Sequence, residues 1–232
     1  MSATESMATR VALRRPAWTL VGLLFAIFSG PLFLWAQRSI AGEVADLPTY
    51  LFREAVMFLL LAALLLLVRY GEGLPFSSIG WHTDRLGNAA LWALLGVVAS
   101  YAVLIPCLLL AQSMHWKVGQ QVPPKFDPPL WAATIQMLRA GITEETFRNG
   151  YALERLISLT GSRSAALALT TTPFALFHYR QGPAGIIIAA AIGLVLSLIY
   201  LRRRSLPAVI LAHFSVDFIP NVLLPLFGAN LG

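Results

Sequence analysis

Residues 141–151 read Gly141-Ile142-Thr143-Glu144-Glu145-Thr146-Phe147-Arg148-Asn149-Gly150-Tyr151. Two adjacent carboxylates stand in the middle of an otherwise apolar, helix-like run over 130–159. That run is long enough to cross a bilayer, which takes about 20 residues. A charged side chain at the bilayer centre costs on the order of 2.5–3.5 kcal/mol on insertion scales, so an intramembrane carboxylate needs a partner and reads first as a functional site. Downstream, His178, His213 and Asp217 also lie inside apolar runs.

The composition fits this reading. Of 232 residues, 57% are hydrophobic and only 12% charged, and the mean hydropathy is +0.71. A soluble domain carries about 25% charged residues. The apolar runs are continuous rather than alternating, which argues against a β-barrel. The expected fold class is therefore all-α, a polytopic membrane helix bundle of about seven to eight spans. The net charge of +6 does not point to nucleic acid, because the Lys and Arg residues lie mostly between apolar runs, as the positive-inside bias produces. The single Cys107 excludes an internal disulfide framework and reads as a small buried hydrophobe.

Along the chain, 1–16 is a polar N-terminal tail. Membrane helices follow at 17–36, 54–68 and 88–112, the last kinked by Pro106. Proline is tolerated in such helices because neighbouring groups re-satisfy the freed backbone. The segment 113–129, rich in proline, is a solvated connection. The C-terminal part, 130–232, carries the candidate site on spans at 130–159, 164–178, 185–201 and 206–218, with a last apolar piece at 222–231 too short to span on its own. The two membrane parts, 17–129 and 130–232, are expected to form one integral bundle. Counting Lys and Arg near the spans, with Arg155 assigned to a loop, gives ten inside against five outside for a cytoplasmic N-terminus. The expected location is an integral membrane protein, the bacterial inner membrane in particular, in contact with membrane lipids.

Glu144 and Glu145 point about 100° apart on a helix, so one can act chemically while the other makes a structural contact. Arg148 is four residues after Glu144 and three after Glu145, within reach of either. His213 and Asp217, at i and i+4, share one helix face. A carboxylate there can orient the imidazole and set its tautomer. Each feature has a structural reading by itself: an ion pair stapling helices, a hydrogen-bonding histidine at a helix end, a local His–Asp contact. His82 and His115 fall in loops and receive no role.

Together, an acid pair, two histidines and a further acid on three apolar segments imply one interior cavity. Such a cavity can hold a water between a glutamate and a histidine. The glutamate acts as general base, and His213 donates to the oxyanion that develops on a scissile carbonyl. The same groups, Glu144, His178 and His213, suit a divalent metal such as zinc, although no H-E-x-x-H motif is present.

These motifs resemble the CPBP family, the CAAX-protease and bacteriocin-processing (Abi) intramembrane peptidases. That family shares Glu-Glu-x-x-x-Arg, Phe-x-x-x-His and His-x-x-x-Asn/Asp motifs in this order. Glu144-Glu145 answers the first, Phe174 to His178 the second, and His213 to Asp217 the third. The resemblance implies Glu144 as the catalytic glutamate, His178 as its partner in activating water, Glu145 as a supporting acid, and His213 with Asp217 as the oxyanion or supporting pair. It implies a peptide or protein substrate, lipidated in the CAAX-processing relatives. The alternative it leaves open is a non-catalytic immunity or scaffold protein. Two departures stand out. Asn149 occupies the usual arginine position, with Arg148 one residue early, about 100° away on an ideal helix. The third motif ends in Asp217, and an ionised aspartate cannot donate a hydrogen bond.

Overall fold

The computed structural model describes residues 15–82, 86–119 and 125–227. Among these every regular element is helical. Helix α1 is Pro16–Ala41 and α2 is Leu47–Leu66, continued by a π turn at Leu67–Gly71. Asp46 caps α2, accepting from the Thr49 amide at 2.8 Å. A short 3₁₀ turn, Phe76–Ile79, precedes α3, Leu86–Ser113, which runs through Pro106. Helix α4, Leu130–Glu145, passes through a π-helical segment, Thr146–Leu153, into α5, Glu154–Thr160. Gly161, at φ +70°, ends this rod in the left-handed region that suits glycine. Ser162 then caps α6, Arg163–Leu176. A 3₁₀ turn, Tyr179–Gln181, leads to α7, Gly182–Arg203. Helix α8, Leu206–Phe218, continues through a π turn, Ile219–Leu223, to Leu226.

The all-α bundle is as the composition requires. Five rods are long and apolar enough to cross a membrane: Pro16–Ala41, Leu47–Gly71, Gly87–Ser113, Tyr179–Arg203 and Leu206–Leu226. The rod containing Glu144 and Glu145 is long but charged. Helix α6, 14 residues, is about 21 Å long against a hydrocarbon core of about 30 Å. These two complete the seven helical rods among the described residues. The apolar piece at 222–231 is no separate element as far as Phe227, because the π turn at Pro220 carries α8 onward. Its remainder, like residues 1–14 of the tail, Arg85 and 120–124, lies outside the described residues.

Two local expectations change. Arg155 is not a loop cation but is fully buried, donating to both oxygens of Glu72 at 2.7–3.1 Å and to Ser78. Tyr151 adds a bond to Glu72 at 3.0 Å. This network ties the turn after α2 to the π segment, and Arg155 drops out of the charge count on which orientation rested. The connection before α4 is not merely solvated either. Phe126 packs on Tyr50, and Lys125 and Phe126 face an internal cavity. Cys107 is half-buried rather than fully buried.

Helix α8 packs between α3 and α4, and α7 packs on α3 and α6. The α4–α8 approach is set by Gly141. A Cβ at that position would lie 3.0 Å from the Ile210 carbonyl and 3.2 Å from the Phe214 nitrogen. With only hydrogen there, the α8 backbone comes close to the α4 backbone. One turn further along α4 stands Glu145, opposite His213 of α8.

Candidate active site

Glu145 is the buried anchor. Its Oε1 accepts from Arg148 Nη2 at 2.6 Å and faces His213 Nδ1 at 2.8 Å, and its Oε2 accepts from Asn149 Nδ2 at 2.5 Å. A fully buried carboxylate is tolerated only with such charge-assisted partners. Glu145 is thus fully buried with both oxygens hydrogen-bonded; it holds helices together and orients His213.

The π-helical segment begins at Thr146, directly after Glu145. Its wider i→i+5 turn rotates less per residue than an α-helix, so Arg148 and Asn149 both reach back to the same carboxylate. This corrects the angular expectation: although Arg148 stands one position early, it makes the ion pair with Glu145, and not one with Glu144. Arg148 Nη1 also donates to the Gly193 carbonyl at 2.7 Å and to Ser197 Oγ at 3.0 Å, while Ser197 donates to Asn149 Oδ1 at 2.7 Å. A Cβ at Gly193 would lie 3.0 Å from Arg148 Nη1 and 3.2 Å from the Phe174 ring, so glycine there admits both side chains against α7.

The second motif is tied to the first through that arginine. The Arg148 guanidinium lies over the Phe174 ring at 4.4 Å, a cation–π contact. The Phe174 and His178 rings are 4.8 Å apart. Helix α6 ends at Leu176, and His178 stands in the break before α7. Its Nδ1 meets the Phe174 carbonyl at 2.8 Å. A carbonyl only accepts, so Nδ1 carries the hydrogen and the neutral ring keeps its lone pair on Nε2.

Glu144 is in a different situation. It is 31% exposed, and its nearest charged partners are Arg139 Nη1 at 3.7 Å and His213 Nε2 at 3.9 Å. Both distances exceed a hydrogen bond, so the carboxylate remains available. His213 uses Nδ1 on Glu145 and presents Nε2 toward Asp217 Oδ2 at 3.4 Å.

Glu144, His178, His213 and Asp217 all line one cavity of about 560 Å³. An adjoining cavity of about 540 Å³, walled by Phe28, Leu32, Met57, Phe147 and Phe177, also reaches Glu144 and His178. The structure thus brings the three motifs together, with Arg148, Asn149 and Phe174 as the frame behind them. His82 and His115 line neither cavity.

Sequence reasoning missed Arg139 and Glu54. Arg139 donates through Nε to Glu54 Oε2 of α2 at 2.6 Å while facing Glu144. The available signal was an arginine within the same apolar run and a glutamate inside the apolar stretch of α2. The candidate zinc set does not fit: among the described residues, no group of three or more His, Cys, Asp or Glu side chains is arranged to hold a metal ion.

The fold and site together are a membrane-type helical bundle enclosing a polar cavity in which a partly exposed carboxylate and two histidines meet. Residues 126–219 match the family model described as type II CAAX prenyl endopeptidase Rce1-like. The matched segment contains all three motifs and is consistent with the CPBP resemblance. No curated protein and no solved structure matches the chain.

Proposed function

We propose that this protein is an intramembrane endopeptidase that hydrolyses a peptide bond of a CAAX-type, prenylated or otherwise apolar substrate with a water activated by Glu144 and His178. The observation that carries the reading is the contrast between the two adjacent glutamates. Glu145 is buried with both oxygens hydrogen-bonded, whereas Glu144 opens to the same cavity as His178 with no hydrogen-bonded cation.

The chemistry follows from that arrangement. Water held between Glu144 and His178 Nε2 loses a proton to the glutamate as oxygen attacks the carbonyl. His213, fixed by Glu145 through Nδ1, offers Nε2 when protonated to the oxyanion. Asp217 orients that ring, since an ionised carboxylate can only accept. The proton on Glu144 then passes to the leaving amine. No step is routed through a metal. Against the non-catalytic alternative, the displaced Arg148 still has an ion-pair partner at the site, Glu145, which supports the peptidase reading. In a cell, we place the protein in the bacterial inner membrane with a cytoplasmic N-terminus.

The test is mass-spectrometric detection of cleavage of a prenylated CAAX peptide by the purified chain in proteoliposomes. Cleavage by wild type and none by Glu144→Gln at equal folded amounts is the expected result. Intact peptide with wild type across several prenylated sequences would sink the reading.

A further inference from the structure

Two carboxylates are each shared between two arginines at the polar cavity: Glu43 in its wall, and Glu54, buried behind the arginines that line it. Glu43, between α1 and α2, accepts from Arg180 Nη2 at 2.8 Å and lies 3.8 Å from Arg38 Nε. Glu54 pairs with Arg53 at 2.9 Å and with Arg139 at 2.6 Å. All four arginines line the cavity that contains Glu144 and His178, as does Lys125.

The two arginine pairs differ in what balances them. Arg139 also faces Glu144, so the Glu54 end is near neutral. The remaining carboxylate in the cavity wall, Asp217, stands at His213. Arg38 and Arg180 thus share one negative charge between them, with side chains 29% and 30% exposed. A helix staple needs one carboxylate per arginine, and a surplus guanidinium beside an apolar chamber costs desolvation unless an anion meets it. Arg38 and Arg180 also border the apolar cavity, so the surplus sits where the polar and apolar chambers meet.

We propose that the Arg38–Glu43–Arg180 cluster binds an anionic group of the peptide, a carboxylate, and so sets which peptide bond lies between Glu144 and His178. Guanidinium groups recognise carboxylates by paired N–H donors. The substrate class is then an apolar peptide carrying a carboxylate within a few residues of the cleaved bond, supplied by its C-terminus or by an acidic side chain. This inference rests on the peptidase reading above.

The test uses Glu144→Gln protein in zwitterionic nanodiscs, so that the probe is not cut. Three forms of one fluorescent prenylated octapeptide are compared by anisotropy: the free acid, its C-terminal amide, and the free acid with its one internal Asp replaced by Asn. Neutralising one of the two carboxylates is expected to weaken binding about 10-fold, as expected for a charge-assisted contact, and which one does so names the source. Arg180→Gln is expected to erase the difference. Glu43→Gln, which frees both arginines, is expected to widen it. Equal binding of all three peptides overturns the proposal, and so does a difference that survives both Arg38→Gln and Arg180→Gln. Equal peptide binding with loss of retained anionic phospholipid in Arg180→Gln also overturns it and assigns the cluster to lipid headgroups. The same peptides are then offered to protein with Glu144 intact. Discrimination without Glu144-dependent cleavage keeps the carboxylate site and rejects the peptidase reading; cleavage without discrimination does the reverse.

Discussion

Arg148 Nη2 lies 2.6 Å from Glu145 Oε1, both side chains being almost completely out of contact with solvent. The same guanidinium reaches α7 at Gly193 and Ser197 and covers the Phe174 ring of α6. Arg148 therefore joins the first two motifs directly, and Glu145, which it holds, carries the link to the third through His213. Removing one partner of a buried ion pair strands the other and costs about 3–5 kcal/mol. Arg148→Ala is expected to lower thermal stability in detergent together with activity. Glu145→Gln should do likewise. Full stability of Arg148→Ala would mean the pair does not hold the fold.

Glu144→Gln is expected to behave in the opposite way. The carboxylate is partly exposed and lacks a hydrogen-bonded cation, so thermal stability should stay within about 0.5 kcal/mol of wild type. Cleavage should fall by at least about 10²-fold, the lower range for loss of a general base. Thermal unfolding and turnover measured on the same preparation separate the two glutamates.

Gly193→Ala probes the packing behind the site. The added methyl would press on Arg148 Nη1 and the Phe174 ring. Overpacking of this kind costs about 1–3 kcal/mol. Trimming the ring with Phe174→Leu in the Gly193→Ala background should recover part of the stability, measured as Tm. No recovery would place the strain on the arginine instead.

The Arg155–Glu72 pair gives a control far from the chemistry. Arg155→Met alone should destabilise by about 3–5 kcal/mol, and Arg155→Met with Glu72→Leu by clearly less, because no charge is left buried and unpaired. Chemical denaturation of the single and double variants reads the difference.

Asp46 carries a pH signature at the start of α2. Its carboxylate accepts from the Thr49 amide, which holds its pKa below the ordinary aspartate value of 3.8. Because the folded value is the lower one, the capping contribution is present above the unfolded value and is lost as the pH falls through the folded value. Hydrogen exchange at the Thr49 amide should speed up below about pH 4 in wild type. In Asp46→Asn, where an uncharged cap persists, that pH step should be absent.

What the sequence determined was what apolarity and local spacing can fix. Continuous apolar runs require helices in a membrane, because every backbone polar group must be satisfied within its own segment. Ionisable residues inside those runs, Glu144, Glu145, His178, His213 and Asp217, were legible as a candidate site because lipid offers them no partner. Tertiary structure alone decided who pairs with whom. Spacing alone put Arg148 within reach of either glutamate; in the π segment after Glu145 both Arg148 and Asn149 meet the Glu145 carboxylate. The bare backbone at Gly141 let α8 close on α4 and set His213 against Glu145. Arg155 looks like a loop cation in the sequence because its partner, Glu72, is 83 residues away. Glu54 and Arg139, 85 residues apart, were missed for the same reason: a local pattern records which side chains need a partner, and only the packing of separate helices supplies it.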